Sequence, residues 1–445
     1  MSRQAAMCAA ALTTAVSVAG GVLAAPVAGA QGSVAEPAPA FYQPPADLPA
    51  SVGALVRTEA FPLAGAIPPI PGAEVLTDGA GPFSTDAQRI MYTSVGSRNQ
   101  PIAVTGTYLQ PRAPWTGPGT RPLAVLAPGT QGMGDYCAPS KTFQSLVSVR
   151  PEPLGLGFGY EILFTYALLA RGFAVAVPDY EGLGTPGTHA YLNRESAARS
   201  VLDIARAADQ VPGSDIGADP RTVFAGYSQG GAAAAAAAEL HPHYAPEIDL
   251  LGTSAGSPPA DLLATIDSLD GSLLTGVVGF ALNGLVQAAP ELGPLIDAHL
   301  NDSGRAMLAT TSDQCIVDAG LQYFTPSTES YTLSGRSARD VLREDPVLMQ
   351  AVDRQRIGRL KPSTPVQILS PLNDDAVPSP QSQQLGRDWC AQDVAVDMVI
   401  DPLPPVATGL TLNHAVPLIT NLGGTTQYLV DRVDGRPAPV NCGTY

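Results

Sequence analysis

The feature that most restricts the fold of this 445-residue chain is a series of short apolar runs separated by helix-like stretches. Strands buried in a parallel sheet have this apolar character, and each parallel neighbour requires a crossover connection, usually a helix. The pattern therefore predicts an α/β fold with a mostly parallel sheet and helices on both faces. The runs are 123–127, 174–177, 222–225, 249–251, 366–369 and 396–400, and the helices include 160–171 and 195–211.

Two longer segments before the first apolar run alternate in polarity and are rich in β-branched and aromatic residues. They are 88–95 and 102–110, and the turn-forming sequence G-S-R-N-Q-P lies between them. This arrangement predicts an antiparallel hairpin.

One interval interrupts the alternation. From about 259 to 355 no strand-like run appears, whereas apolar helical stretches recur at 273–286 and 339–351. About a hundred residues is too long for a simple crossover, so the interval predicts an inserted helical cap, or lid. The predicted core then consists of 83–258 and 356–445.

The N-terminus resembles an export signal. Arg3 precedes an uncharged apolar stretch from 7 to about 25, and Ala28 and Ala30 form an A-x-A cleavage pattern. We expect a cleaved signal peptide over 1–30 and a protein that is secreted or held at the cell envelope. An uncleaved membrane anchor is the alternative, which the glycines and proline of this stretch weaken. Residues 31–82, rich in Pro, Ala and Gly, predict an extended lead-in that wraps over the body.

Composition excludes some partners. The formal net charge is −16, and only 14% of residues are charged. With two lysines and no basic run, nucleic-acid binding is not expected. An acidic chain is also not drawn to anionic membranes, although transient hydrophobic contact with a neutral lipid interface stays open.

Four cysteines follow the predicted signal: Cys137, Cys315, Cys390 and Cys442. An even number in an exported chain predicts two disulfides, with three possible pairings. No C-x-x-C or His/Cys cluster indicates a metal site.

A nucleophile is indicated where residues 222–238 read T-V-F-A-G-Y-S-Q-G-G followed by alanines. A strand-like run enters G-Y-S-Q-G and a helix-forming run leaves it. This is the context of the G-x-S-x-G elbow of α/β-hydrolases, in which a strained turn presents the serine. Ser228 is therefore the predicted nucleophile; the alternative is a tight strand–helix turn without chemistry.

Residues 252–256 also match G-x-S-x-G, with Ser254 at the centre. The next residues are S-P-P, which cannot continue as the buried helix that an elbow needs. Ser254 is therefore rejected and interpreted as part of a strand-end loop near the site.

The base follows from elimination. In α/β-hydrolases the chain order is Ser, then Asp or Glu, then His. Of five histidines, His414 alone follows a late strand, in a predicted loop reading T-L-N-H-A-V. One of the others precedes Ser228, two lie about 18 Å away along the nucleophile helix, and one lies in the predicted cap. These are His189, His241, His243 and His299.

The acid is expected after the strand at 366–369, where the chain reads S-P-L-N-D-D-A-V-P. Asp374 and Asp375 are adjacent, so only one can point inward. The D-x-x-V-P spacing common at this position begins at Asp374, which we predict as the acid. Asp375 is then expected to be a solvated loop residue.

The oxyanion is expected to be stabilised by backbone amides. The N–H of Gln229, directly after the nucleophile, is one donor, and the loop after the first parallel strand should supply another. That loop reads P-G-T-Q-G-M-G from 128 to 134, and Gln131 is the predicted second donor. An ordinary glycine-rich turn is the alternative.

Four segments together resemble the secretory lipase family. They are C-A-P-S at 137–140, D-Y-E-G-L-G at 179–184, G-Y-S-Q-G-G at 226–231 and G-S-P-P-A-D-L at 256–262. The resemblance covers about 82–421. It implies an α/β-hydrolase with a helical lid before the acid-bearing strand, and hydrolysis of carboxylic esters, including triacylglycerols, with some acyl transfer. A mechanism of this kind needs no metal or organic cofactor. The resemblance also implies a Cys137–Cys315 disulfide, which leaves Cys390 with Cys442.

Three other functions remain open from the sequence. A short-chain esterase would use the same residues, since the apolar stretch 273–286 fits either an acyl pocket or a buried helix. A cell-wall acyltransferase would pass the acyl group to a sugar or wall lipid. A non-catalytic binding protein on the same scaffold is disfavoured by the complete Ser, Asp and His set.

Overall fold

The computed structural model describes residues 40–63, 85–143, 147–151, 154–324 and 326–445. The predicted signal peptide and most of the predicted lead-in lie outside the described residues. No helix in the described ranges combines the length and apolar character that a membrane span requires. Residues Phe41–Tyr445 form one compact unit.

A nine-stranded sheet forms the centre of the described chain, in the order β1-β2-β3-β7-β4-β8-β9-β10-β11. The strands of this sheet are β1 (Leu55–Ala60), β2 (Thr85–Val95), β3 (Pro101–Pro111), β4 (Leu123–Ala127), β7 (Ala174–Pro178), β8 (Thr222–Tyr227), β9 (Leu250–Gly256), β10 (Val366–Pro371) and β11 (Val396–Asp401). The pairings β1–β2, β2–β3 and β3–β7 are antiparallel, whereas the pairings from β7 through β4, β8, β9 and β10 to β11 are parallel. The predicted hairpin and mostly parallel sheet are confirmed.

Helices cover both faces of the sheet. The described helices are α1 (Pro139–Thr142), α2 (Ile162–Leu169), α3 (Arg194–Ala208), α4 (Gln229–Tyr244), α5 (Leu262–Leu269), α6 (Thr275–Ala288), α7 (Leu292–Asp297), α8 (Asp302–Thr311), α9 (Ile316–Gln322), α10 (Ala338–Glu344), α11 (Pro346–Asp353), α12 (Ser379–Cys390), α13 (Leu412–Thr420) and α14 (Leu422–Val433). Successive residues of β4 pack into two different hydrophobic cores. Val125 lies in the core formed with α3, α4 and α12, and Leu126 lies in the core formed with α2 and α14. Because successive strand residues point to opposite faces, these cores lie on opposite sides of the sheet.

The interval predicted as the cap contains the seven helices α5 to α11. Their apolar side chains form a separate core, in which Phe280 of α6 is fully buried. Met133, from the loop after β4, belongs to the same core. The apolar stretch at 273–286 is therefore largely accounted for by packing within these helices, and it does not by itself indicate an acyl pocket.

Several element predictions are wrong in detail. The helix expected over 339–351 is two helices, because Asp345 caps a new helix that begins at Pro346. The strand expected at 249–251 runs to Gly256, so Ser254 lies within β9 and not in a strand-end loop. The sequence reasoning also missed β1 and a separate two-stranded sheet of β5 (Val147–Arg150) and β6 (Gly155–Phe158).

The two disulfides implied by the resemblance are present. Cys137 is bonded to Cys315, and Cys390 to Cys442. The first joins the loop region after β4 to the start of α9. Gly132 allows this close approach, since a β-carbon there would lie 2.4 Å from the Cys315 Cα.

Candidate active site

Ser228 occupies a strained turn between β8 and α4. Its φ of 57° and ψ of −123° are rare for a residue with a side chain,. The Ser228 N–H donates to the Gly256 carbonyl oxygen at 2.9 Å. Gly230 lets α4 begin close to the sheet, because a β-carbon there would lie 2.0 Å from the Ala127 carbonyl oxygen. Strand, strained serine and helix together have the geometry of a nucleophile elbow.

Asp374, in the turn after β10, and His414, in α13, form a buried pair. His414 Nδ1 lies 2.9 Å from Asp374 Oδ2 and 3.0 Å from Oδ1. Asp374 Oδ1 also accepts hydrogen bonds from the N–H groups of Ala376 and Val377. A carboxylate can only accept, so Nδ1 carries the proton and Nε2 is left as the basic nitrogen.

The pair shifts the pKa of each member toward the charged form. Burial alone would lower the pKa of His414, but the Asp374 charge and hydrogen bond raise it above its ordinary value. Burial alone would raise the pKa of Asp374, but the His414 charge, with hydrogen bonds from His414, Ser257 and Val377, lowers it. An ionised aspartate that stabilises an imidazolium is the arrangement a serine hydrolase needs.

Tyr227 connects the nucleophile strand to the histidine. Its hydroxyl donates to the His414 carbonyl oxygen at 2.7 Å, and the two ring centroids are 5.2 Å apart. Ser228 is the next residue and is partly exposed. Among the described residues the Ser228 hydroxyl makes no hydrogen bond. The mechanism proposed below requires this hydroxyl to contact His414 directly. Such contacts are often loose before substrate binds.

The prediction for His414 is wrong in its local structure. The residue lies in the first turn of α13 and not in a loop. Thr411, which precedes this helix, has a left-handed φ of 60°.

The prediction for Asp375 is incomplete. Asp375 lies in a loop and is partly exposed, but its carboxylate also accepts the N–H groups of Gly409, Thr411 and His414 at 3.1, 2.9 and 3.2 Å. The two adjacent aspartates therefore have different roles. Asp374 contacts the imidazole, and Asp375 holds the backbone that carries it.

Ser257 was missed by the sequence reasoning as a residue of the site. It follows β9 with a φ of 41°, and its hydroxyl donates to Asp374 Oδ2. The same hydroxyl lies 3.5 Å from His414 Nδ1. The available signal was position: β9 lies between β8, which leads to Ser228, and β10, which leads to Asp374, so a hydroxyl directly after β9 falls between them. Ser254 points elsewhere, to Gln367 Oε1 at 3.1 Å.

The two predicted oxyanion donors lie on neighbouring segments. Gln229 and Gln131 are both buried, and α4 begins against the Ala127–Pro128 end of β4. Within the described ranges neither backbone N–H has a hydrogen-bond partner. The side chains are engaged, since Gln131 Nε2 donates to Gly129 O at 3.3 Å and Gln229 Nε2 contacts His189 Nε2 at 3.1 Å.

The other histidines have structural environments. His189 is buried, its Nδ1 lies 2.9 Å from the Glu181 carbonyl oxygen, and burial lowers its pKa to about 4. His241 contacts Ser363 and the Ile248 carbonyl oxygen. His243 and His299 remain away from the Asp374 pair, the latter 3.9 Å from Asp345. Among the described residues no group of histidine, cysteine and carboxylate side chains could hold a metal ion.

Comparison with known proteins decides the family. The model of a family described as "Secretory lipase" matches residues 149–441, more than half of the chain. The chain belongs to the secretory lipase family. Its fold is that of an α/β-hydrolase, as the structural comparison below also shows.

The similar proteins include both named enzymes and a protein that is named inactive. A protein of Mycobacterium tuberculosis named "Probable inactive lipase MT1628" is 29% identical over 404 residues, 85% of this chain and 82% of that protein. A secreted triacylglycerol lipase, LIP5 of Malassezia restricta, is 26% identical over 80% of this chain and 67% of that protein. The closed state of Candida antarctica lipase A superposes with a TM-score of 0.73 at 21% identity, covering 91% of this chain and 88% of that chain.

Proposed function

We propose that this member of the secretory lipase family is a secreted serine hydrolase that cleaves carboxylic esters of lipids, of the triacylglycerol type, through an acyl-enzyme on Ser228. The observation that carries the proposal is the buried Asp374–His414 pair at the sheet edge where the strained Ser228 lies. Family membership and the secreted triacylglycerol lipase among the relatives support the substrate class. The two disulfides support export to an oxidising compartment,.

The proposed reaction begins with substrate bound over Ser228. His414 Nε2 removes the proton from Ser228 Oγ as the oxygen attacks the ester carbonyl carbon. Asp374 holds the imidazole by Nδ1 and stabilises the imidazolium. The backbone N–H groups of Gln229 and Gln131 donate to the oxyanion. Stabilisation of this kind is usually the largest single contribution to catalysis.

The tetrahedral intermediate then collapses. The alcohol leaves with the proton held by His414, and an ester between the acyl group and Ser228 Oγ remains. His414 next removes a proton from water, which attacks the acyl carbon, and the proton returns to Ser228 as the carboxylic acid leaves. If an alcohol or sugar replaces water in this step, the same residues perform acyl transfer.

The test is hydrolysis of p-nitrophenyl esters from acetate to palmitate and of emulsified triolein. Wild-type protein is compared with Ser228→Ala and, as the matched control, Ser254→Ala, which removes the other G-x-S-x-G serine. We expect activity on long-chain esters, a loss of at least about 10³-fold in Ser228→Ala, and most of the wild-type rate in Ser254→Ala. Full activity in Ser228→Ala would overturn the proposal.

The remaining outcomes separate the alternatives. Serine-dependent activity confined to short esters identifies a short-chain esterase. Ester products formed only with an added alcohol or sugar identify an acyltransferase. No activity on any ester identifies a non-catalytic protein, a result for which the name of the Mycobacterium tuberculosis relative is a precedent.

A further inference from the structure

The loop after β4 is held by side chains that the proposed mechanism does not use. Three tyrosines and one glutamate contact three consecutive residues of this loop. The contacts are Tyr180 Oη to Pro128 O (2.9 Å), Gly129 N to Glu161 Oε1 (2.6 Å), Tyr160 Oη to Thr130 O (2.8 Å), and Tyr191 Oη with Thr130 Oγ1 (2.7 Å). The backbone contacts fix the direction of two peptide groups in the loop, Pro128–Gly129 and Thr130–Gln131.

The peptide group between Thr130 and Gln131 is the one that bears the predicted second oxyanion donor. In a trans peptide the N–H and C=O point in opposite directions. Because the Thr130 carbonyl oxygen accepts the Tyr160 hydroxyl, the Gln131 N–H must point away from Tyr160. The next carbonyl, Gln131 O, accepts the Ile316 N–H at 2.9 Å, so rotation is opposed from both sides.

The peptide group two positions earlier, between Pro128 and Gly129, differs in one respect. Its carbonyl oxygen accepts the Tyr180 hydroxyl, and its N–H is already donated to Glu161. Both ends are used within the protein, so this group has no N–H to offer a substrate. Tyr160 and Tyr180 therefore make the same kind of bond to two carbonyls of one loop, with different consequences for the N–H of each peptide group.

We infer that Tyr160 is a positioning residue for the oxyanion hole. Its hydroxyl holds the Thr130 carbonyl and thereby directs the Gln131 N–H at the oxyanion formed on the substrate. This inference rests on the proposed function, because it assigns a task within the same reaction. It predicts that the Tyr160 hydroxyl matters for the transition state and little for substrate binding.

The test compares Tyr160→Phe with the matched control Tyr180→Phe, using kcat and KM for a p-nitrophenyl ester. Each substitution keeps the ring and removes one hydroxyl bonded to a loop carbonyl. Loss of a complete oxyanion donor lowers kcat by about 10²- to 10³-fold, so a misdirected donor in Tyr160→Phe should lower kcat by roughly 10- to 100-fold. We expect KM and the pH at which activity is lost to stay unchanged, and Tyr180→Phe to retain most of kcat.

Two results would overturn the inference: wild-type kcat in Tyr160→Phe, or equal losses in both variants, which would indicate a general effect on the loop. The thermal stability of both variants is measured alongside. If the two variants are equally stable but differ in kcat, the loss in Tyr160→Phe arises from positioning and not from folding. Ser228→Ala is assayed in parallel. If wild-type activity does not depend on Ser228, the proposed function fails; if it does and Tyr160→Phe is unaffected, only the inference fails.

Discussion

The Ser257 hydroxyl donates a hydrogen bond to Asp374 Oδ2, the carboxylate oxygen nearest His414 Nδ1. The contact joins the end of β9 to the turn after β10. A hydrogen bond to a charged group contributes about 1.5–3 kcal/mol, so this hydroxyl should help to fix the carboxylate against the imidazole.

Ser257→Ala should therefore lower kcat/KM by roughly 10-fold, since about 1.4 kcal/mol of lost transition-state stabilisation corresponds to that factor. Ser254→Ala is the matched control, because it removes a buried hydroxyl from β9, three residues before Ser257, and that hydroxyl bonds to an uncharged amide. Steady-state kinetics of both variants measure the effect. Equal losses would show that Ser257 has no specific relation to Asp374.

Activity should be lost at acidic pH as His414 gains a proton. The Asp374 charge raises the pKa of His414 above 6.5, so the acid limb of the kcat/KM profile should lie above that of an unpaired histidine. Asp374→Asn removes the charge and should move the limb to lower pH, with kcat reduced about 10⁴-fold. A limb that stays in place in the variant would contradict the assignment of Asp374.

Asp375→Ala should loosen the backbone that carries His414 without removing a group that contacts the imidazole. The N–H groups of Gly409 and Thr411 would lose their acceptor, and that of His414 would keep only the Thr411 carbonyl oxygen. Unsatisfied amides are costly unless water replaces the carboxylate. We expect faster hydrogen exchange at Gly409, Thr411 and His414 and a lower kcat. Asp353→Ala, at an exposed ion pair, is the control. Unchanged exchange in Asp375→Ala would refute the anchoring role.

Glu161 should make stability depend on pH. Burial raises its pKa from 4.5 to about 7, against the opposing hydrogen bond from Gly129. At pH values between these two pKa values, the unfolded chain loses a proton that the folded chain keeps. The free energy of unfolding therefore falls as pH rises, by up to about 3 kcal/mol in total.

Glu161→Gln keeps an acceptor for Gly129 and removes this titration. Urea unfolding at pH 5 and pH 8 should show that the variant loses less stability than wild type between the two values. Glu291→Gln, at an exposed glutamate, controls for the change of charge. Parallel pH dependence of wild type and Glu161→Gln would contradict the prediction.

Much of the fold could be predicted because its signals are local. The apolar runs that became β4, β7 and β8 are short, buried and bounded by turn residues, and period and length identify such segments. The strained turn at Ser228 is encoded by its flanking glycines and the alanines that follow. The cysteine pairs came from resemblance, since spacing alone left three pairings open.

The remaining features depend on contacts between residues far apart in the chain. Asp375 appeared to be a surface residue because its three amide donors lie 34 or more positions away. Ser257 approaches Asp374 across 117 positions. Tyr160 meets Thr130 across 30. No local pattern reports these contacts, which exist only once the sheet order brings the strand ends together.

The most direct test of the assignment of Ser228 is reaction with a long-chain p-nitrophenyl phosphonate, which a serine nucleophile attacks at phosphorus with loss of p-nitrophenolate. We expect one p-nitrophenolate released per protein, loss of ester hydrolysis in proportion, and the phosphonyl group on the peptide that contains Ser228. Labelling of Ser254 or of any other residue, or activity that persists in fully labelled protein, would contradict Ser228 as the nucleophile.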